Sequence, residues 1–179
     1  MTIPRQWSAG DLQLIPMDKN SAPLMKALFE TNKSVAACDP SFGEHDIAVY
    51  QGVIEEMNQK DHFLRTILDA DNKPVGFFHM NFHQARERVC WISMMSVNAE
   101  YQGQGLGARV YRAIEDQVKE SGEADRIWLQ VFVGNEAAVM FWVKQGFLTI
   151  VKSGQEDENG QKYNYLILEK SLNKSQDAV

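Results

Sequence analysis

The stretch QGQGLGA, Gln102 to Ala108, places three glycines within five residues, directly before an amphipathic run. Glycine surrenders more backbone freedom on folding than any other residue. Such density implies a conformation or a close approach that side chains would forbid. A glycine turn leading into a helix points consecutive N–H groups at one place. The helix start adds unsatisfied donors and a positive dipole end, and together these are the chemistry of anion binding. Three readings compete. A Walker loop needs Lys and then Ser or Thr after its last glycine, and here Ala108 and Arg109 follow Gly107, which excludes it. The short dinucleotide pattern GxGxxA is met by Gly103, Gly105 and Ala108. It also expects an acid about twenty positions on, at the end of the next strand. Glu123 precedes that strand, and Val131 to Val133 ends it without an acid. The third reading is a tight strand-to-helix turn with no ligand, and the turn alone does not decide against it.

Other side chains capable of chemistry are scattered. His79 and His83 are four residues apart, a spacing that shares one face only on a helix, and the segment reads as a strand approaching a turn. No third ligand accompanies them. Cys38 and Cys90 have no CxxC companion and need form no bridge, so no metal is expected.

The elements that must hold the glycine turn follow from periodicity. Asp11 to Met17 alternates as a first strand, and Ala22, Leu24, Met25, Leu28 and Phe29 form a helical stripe with Pro23 early in it. Ile47 to Met57 reads as a second helix. Phe63 to Leu68 and Val75 to Phe82 flank a turn at Asp69 to Pro74, a hairpin. Cys90 to Val97 is an apolar run suited to a central strand. After the glycines, Leu106, Val110, Ile114 and Val118 recur every four residues, predicting a helix from near Gly105 to Glu120 that stops at Ser121-Gly122. A strand at Ile127 to Val133, a short helix at Asn135 to Lys144, a strand beginning at Phe147, a polar turn at Ser153 to Gly160 and a closing strand at Tyr163 to Leu168 complete the chain. This is a mixed α/β sheet of about seven strands, four before the turn and three after it, with about four helices. One domain over residues 1–170 and a flexible tail over 171–179 are expected.

Charge narrows the partners. The formal net charge is -6, with no run of Lys and Arg to offset it, which argues against nucleic acid or an anionic membrane surface. The N-terminus lacks the apolar core of a secretory signal, and no stretch has the length to span a bilayer, so a cytoplasmic location is the default expectation.

From Val97 to Phe147 the chain resembles the GCN5-related N-acetyltransferase (GNAT) family. The family's pyrophosphate loop is matched by Gln102, Gly105 and Gly107, and its second signature by Asn135, Ala138, Phe141-Trp142 and Gly146-Phe147. The resemblance implies a GNAT-like acyl-CoA N-acyltransferase fold with a splayed central strand pair, and transfer of an acetyl group from acetyl-CoA to an amine. It implies that Gln102, Gly103, Gln104, Gly105, Leu106, Gly107 and Ala108 hold the pyrophosphate, that Met95, Ser96 and Val97 pair with the pantetheine arm, and that Asn135, Ala138, Phe141 and Trp142 line its path. The acceptor would be an amine-bearing small molecule or a peptide N-terminus, and a homodimer is a family expectation.

The pattern is broken at one position. Many family members place a Tyr seven residues after the Asn to protonate the leaving thiolate, and this chain has Trp142, whose indole is no acid at ordinary pH. A core aromatic is the plainer reading of it. Candidates for proton transfer are Glu30, His79, His83 and Tyr163, with Tyr165 beside the last. Asp39, Glu44 and His45 fall where the family builds its acceptor pocket. Tyr111 is expected to pack. Two alternatives stand beside the acetyltransferase: a non-catalytic acyl-CoA sensor that lost its acid at Trp142, and an enzyme using a longer acyl chain.

Overall fold

The computed structural model describes residues 3–43, 45–82 and 87–172. Glu44, His83 and the tail beyond Leu172 lie outside the described residues, and so do the expectations placed on them.

Eight strands form one sheet: β1 (Trp7–Ala9), β2 (Leu12–Pro16), β3 (His62–Leu68), β4 (Pro74–Asn81), β5 (Val89–Val97), β6 (Arg126–Phe132), β7 (Thr149–Glu158) and β8 (Gln161–Ser171). Their order across the sheet is β1-β2-β3-β4-β5-β6-β8-β7. Every neighbouring pair is antiparallel except β5 and β6. A parallel pair needs a crossover, and the 16-residue helix α3 (Leu106–Ser121) supplies it.

The sheet divides two cores. On one face α3 lays Val110, Tyr111, Ile114 and Val118 against Phe78, Ile92, Ile127 and Leu129, all essentially buried. These include three of the four residues whose spacing predicted the helix, and Leu106, the fourth, is 8 % exposed. Helix α4 (Glu136–Lys144) adds Trp142 to the same core. On the other face α1 (Ala22–Glu30) and α2 (Ile47–Glu56) pack Met25, Leu28, Phe29, Tyr50 and Ile54 onto Leu64 and Phe77. Pro23 sits in the first turn of α1, where no N–H is missed. Helix α2 buries only Tyr50 and Ile54, whereas Ile47 and Val49 of its expected apolar set are exposed.

Two strand readings need correction. There are five strands before the glycine turn, because the three-residue β1 pairs with β2 through Trp7–Leu14 and Ala9–Leu12. The polar stretch Ser153 to Glu158 is strand and not turn, and the reversal is confined to Asn159 and Gly160, both at positive φ. β7 is an edge strand almost wholly exposed, so it carries no burial period from which it could be read. Both cysteines are free thiols, Cys38 half-buried and Cys90 buried. Among the described residues no helix is long and apolar enough to cross a membrane.

Candidate active site

The parallel contact between β5 and β6 is short. Register partners run from Val89–Arg126 to Ile92–Leu129 and then cease, while β6 continues along β8 to Phe132–Tyr165. Beyond Ile92 the two central strands diverge. The backbone N–H of Asn98 donates to Val75 O across the β4 side of β5 at 2.9 Å. Bonded pairs alternate along an antiparallel ladder. Ser96 therefore turns its backbone groups to β4, and Met95 and Val97 turn theirs into the gap.

A cleft of about 490 Å³ fills the gap above Met95 and Val97, walled by the glycine turn, the start of α3 and one side of α4. Of the residues expected at a cofactor, Met95, Ser96, Val97, Gln102, Gly103, Gly105, Leu106, Gly107, Ala108, Asn135, Ala138, Phe141 and Trp142 all line it. Gln104 does not, and its side chain instead donates to Glu100 O at 2.8 Å.

The glycines divide their duties. Gly103 and Gly105 have φ of 73° and 79°, and a Cβ on either would meet nothing within 4 Å. They are required by backbone conformation, which L side chains adopt only under strain. Gly105 stands as N-cap of α3 with no side chain to satisfy the first N–H groups, so the helix start faces the cleft with bare donors. Gly107 is different. A Cβ there would lie 3.3 Å from Phe141 Cε2, so its smallness lets α3 approach α4.

A polar residue that the sequence did not single out ties the cleft together. Asn32, 5 % exposed, follows the C-terminal end of α1. Its Nδ2 donates to Val97 O at 3.0 Å and to Ser96 Oγ at 3.2 Å. Gln102 Nε2 donates to Asn32 Oδ1 at 2.6 Å and to Val97 O at 3.0 Å. The family-pattern glutamine thus fastens the glycine turn to β5 and α1 by its side chain, and its match in the motif reflects loop anchoring. Nothing in LFETNKS marks Asn32 beyond a helix end.

At the start of α4 the Asn135 Oδ1 accepts from Ala138 N–H at 3.2 Å. The Asn-to-Ala spacing is that of an N-cap and its third helical residue. Trp142 is 7 % exposed and packs edge-on against Tyr111, Phe141 and Phe147, with centroids 4.8 to 5.5 Å apart.

Below the cleft a throat of about 120 Å³ opens between Ile92 to Ser96 on β5 and Leu129 to Val131 on β6. Phe29, Asp39 and Phe42 close it from the α1 side, and Trp142 from the other. The structure thus brings Asp39 to the throat. It does not bring Glu30, which is exposed, pairs with Lys26 and borders a separate surface hollow with Lys33 and Tyr50. His45 is exposed and edge-on to Tyr50, and Tyr163 packs on Phe132; neither lines the throat or the cleft. Tyr111 is buried as expected and lines neither.

His79 is 2 % exposed on β4, opposite Met94 of the throat. Its Nε2 lies 3.1 Å from His62 Nδ1, and its Nδ1 has no partner. Burial, with His62 and Arg65 nearby, pushes its pKa down to about 3, so the ring is neutral at physiological pH. A base of that strength removes little from an alkylammonium. Among the described residues no three His, Cys, Asp or Glu side chains gather as a metal site would require.

The fold has solved counterparts. The microcin C7 self-immunity acetyltransferase MccE, solved with acetyl-CoA and AMP, superposes with a TM-score of 0.75 at 20 % identity, covering 94 % of this chain and 97 % of that one. Spermidine N-acetyltransferase of Vibrio cholerae, solved with CoA and spermine, gives 0.73 at 16 % identity over 91 % and 96 %. In sequence, spermine/spermidine N(1)-acetyltransferase of Bacillus subtilis is 31 % identical over 72 residues, 40 % of this chain and 45 % of that protein. N-alpha-acetyltransferase 30 of Schizosaccharomyces pombe is 39 % identical over 57 residues, 32 % and 37 %. The matched stretch therefore spans less than half the length of these relatives. The sequence pattern of the Acetyltransferase (GNAT) family covers residues 28–147, and the chain belongs to that family.

Proposed function

We propose that the chain is an acetyl-CoA-dependent N-acetyltransferase acting on the primary amine of a small cationic molecule. The observation that carries this is the gap between β5 and β6, into which the backbone groups of Met95 and the bare N–H groups at the start of α3 both face. Backbone donors of this kind fit a pyrophosphate and an amide-bearing arm, and Lys144 also lines the cleft. Gln102 to Ala108 would take the pyrophosphate, Met95 to Val97 the arm, and Asn135, Ala138 and Phe141 the opposite wall. Bound there, acetyl-CoA supplies a thioester carbon as electrophile.

The chain's own residues then have three tasks. Asp39 at the throat attracts the ammonium form of the acceptor, which gives up one proton to solvent before its nitrogen attacks and a second as the C–N bond forms. The Met95 N–H faces the throat region, where a fixed donor stabilises charge gathering on the carbonyl oxygen. Trp142 closes the throat to water and gives no proton, so the sulfur departs as thiolate, which a thiol of pKa near ~8.5 permits. A throat of about 120 Å³ favours a short acyl group over a long chain.

The similarity to N-alpha-acetyltransferase 30 supports a second reading in which the acceptor is a peptide N-terminus. Transfer of labelled acetyl across a panel of amines and peptides, with release of free CoA followed in parallel, separates the two. Tight CoA binding with no turnover on any acceptor would overturn both and leave an acyl-CoA sensor.

A further inference from the structure

The turn that joins β6 to α4 holds a glycine that its backbone does not explain. Gly134 takes no positive φ, so its conformation does not call for glycine. Space does. A Cβ there would lie 2.9 Å from Cys38 Cβ, well inside the about 3.5–4.0 Å at which carbon atoms rest. Cys38 belongs to the connection between α1 and α2, which folds as two short helical turns, Lys33–Ala37 and Pro40–Phe42. Phe42 packs on Phe29 of α1 with ring centroids 5.0 Å apart, and Cys38 rests on Gly134. Asp39 lies between these two points and lines the throat beside Phe42. Val131 and Asn135, on either side of the Gly134 turn, line the same throat. The Cys38–Gly134 contact therefore joins the α1 side of the throat to the α4 side.

The Cys38 thiol is not placed for chemistry. Its Sγ donates to Val35 O at 3.2 Å, and burial, with the Asp39 carboxylate next to it, raises its pKa. A thiol kept protonated and turned to its own backbone is a poor nucleophile. What Cys38 presents to Gly134 is its Cβ. Gly134 itself lines neither the throat nor the cleft, so a methyl group added there meets the α1–α2 connection and no ligand.

We propose that Gly134 is a positioning residue for the acceptor: by leaving room for Cys38 it seats Asp39 at the throat, and a side chain in its place would move that carboxylate off the incoming ammonium. This rests on the acetyltransferase reading. Relieving a 2.9 Å contact displaces Cys38 by about 0.5–1 Å, and the adjoining Asp39 moves with it. A shift of that size weakens an ion pair made by a half-buried carboxylate and leaves the cofactor's contacts alone.

The test is a pair of double-mutant cycles, read with the acceptor that wild type acetylates fastest. Gly134→Ala should raise the acceptor KM roughly 3- to 5-fold and leave kcat and the Kd for CoA within about 2-fold. Made in the Cys38→Gly background, where the opposing Cβ is gone, it should change KM by less than about 2-fold. Made in the Asp39→Asn background it should add equally little, because the carboxylate it displaces is already lost. An unchanged KM, an equal effect in either second background, or weakened CoA binding in place of acceptor binding overturns the proposal while the acetyltransferase reading stands. Alkylation of Cys38 by iodoacetamide, followed by mass spectrometry, reads the seat without turnover. The displaced thiol should react at least about 3-fold faster in Gly134→Ala than in wild type, with the buried Cys90 as internal reference. Faster alkylation with no transfer by wild type to any amine or peptide upholds the seat and removes the acetyltransferase reading, and unchanged alkylation overturns the seat whatever the turnover.

Discussion

Replacing Gly105 by Val probes the anion cradle, and a second glycine provides its control. Gly105 and Gly122 stand at opposite ends of α3 with φ of 79° and 67°, and a Cβ on either meets nothing within 4 Å. Both substitutions therefore suffer the same kind of backbone strain, about 1–3 kcal/mol. For a chain of this size each kcal/mol lowers Tm by about 2–4 °C, so each variant should melt roughly 2–12 °C below wild type. Only Gly105 faces the cleft. If strain or the added side chain displaces one charge-assisted N–H bond to the pyrophosphate, the loss is about 1.5–3 kcal/mol, roughly 10- to 150-fold in Kd. Calorimetric titration with CoA, well below either melting point, should show that weakening for Gly105→Val and wild-type affinity within about 2-fold for Gly122→Val. Equal CoA affinities in two equally destabilised variants would refute the cradle, since strain without contact would then describe both glycines.

Three further outcomes follow from contacts already described. Asn32→Ala frees Gln102 from α1 and leaves Ser96 Oγ without its buried donor; it should destabilise the fold by about 1–3 kcal/mol in chemical denaturation and raise the KM for acetyl-CoA more than it lowers kcat. Trp142→Phe keeps an aromatic among Tyr111, Phe141 and Phe147 and should lower Tm by a few degrees yet retain most of kcat, whereas loss of all turnover with CoA binding intact would make the indole a participant. Glu115 is buried beside Lys119 and Lys170; burial alone would raise its carboxyl pKa, but the two lysines together hold it below the ordinary value. Its stabilisation is therefore full above pH ~4.5 and disappears as pH falls through the lower folded value. Glu115→Gln should cost about 1–3 kcal/mol at pH 7, and urea titrations should show the gap from wild type closing toward pH 3.

What could be read from the chain before its structure depended on the range of each interaction. The stripe Leu106, Val110, Ile114, Val118 and the stop at Gly122 are local, and the helix they announce is the one observed. The spacing of Asn135 and Ala138 is legible because it is a cap bonding its own first turn. Gly107 has a packing duty that its place in the motif does not show: its partner, Phe141, is 34 residues on and belongs to another helix, so packing and ligand approach leave the same letter. The polar part of β7, Ser153 to Glu158, was invisible because an edge strand exposed on both faces has no period. Asn32 and the His62–His79 contact arise from elements brought together by the sheet, and neither the polar Asn after α1 nor a histidine on each arm of a hairpin carries that meaning alone.

The brevity of the β5–β6 contact has a mechanical side. Strands β1 to β5 and strands β6 to β8 are two half-sheets joined along a seam of four register partners, Val89–Arg126 to Ile92–Leu129. Above the seam the halves are held by the packing of α3 and α4. A molecule lying in the cleft and bonding to Met95 and Val97 would act as a rung laid across the open end, lengthening the seam. Amide exchange at Met95 should then slow on CoA binding by more than at Trp91, which is already seamed to Trp128. Substrate and scaffold would share one job, with the sheet complete only while it has something to deliver.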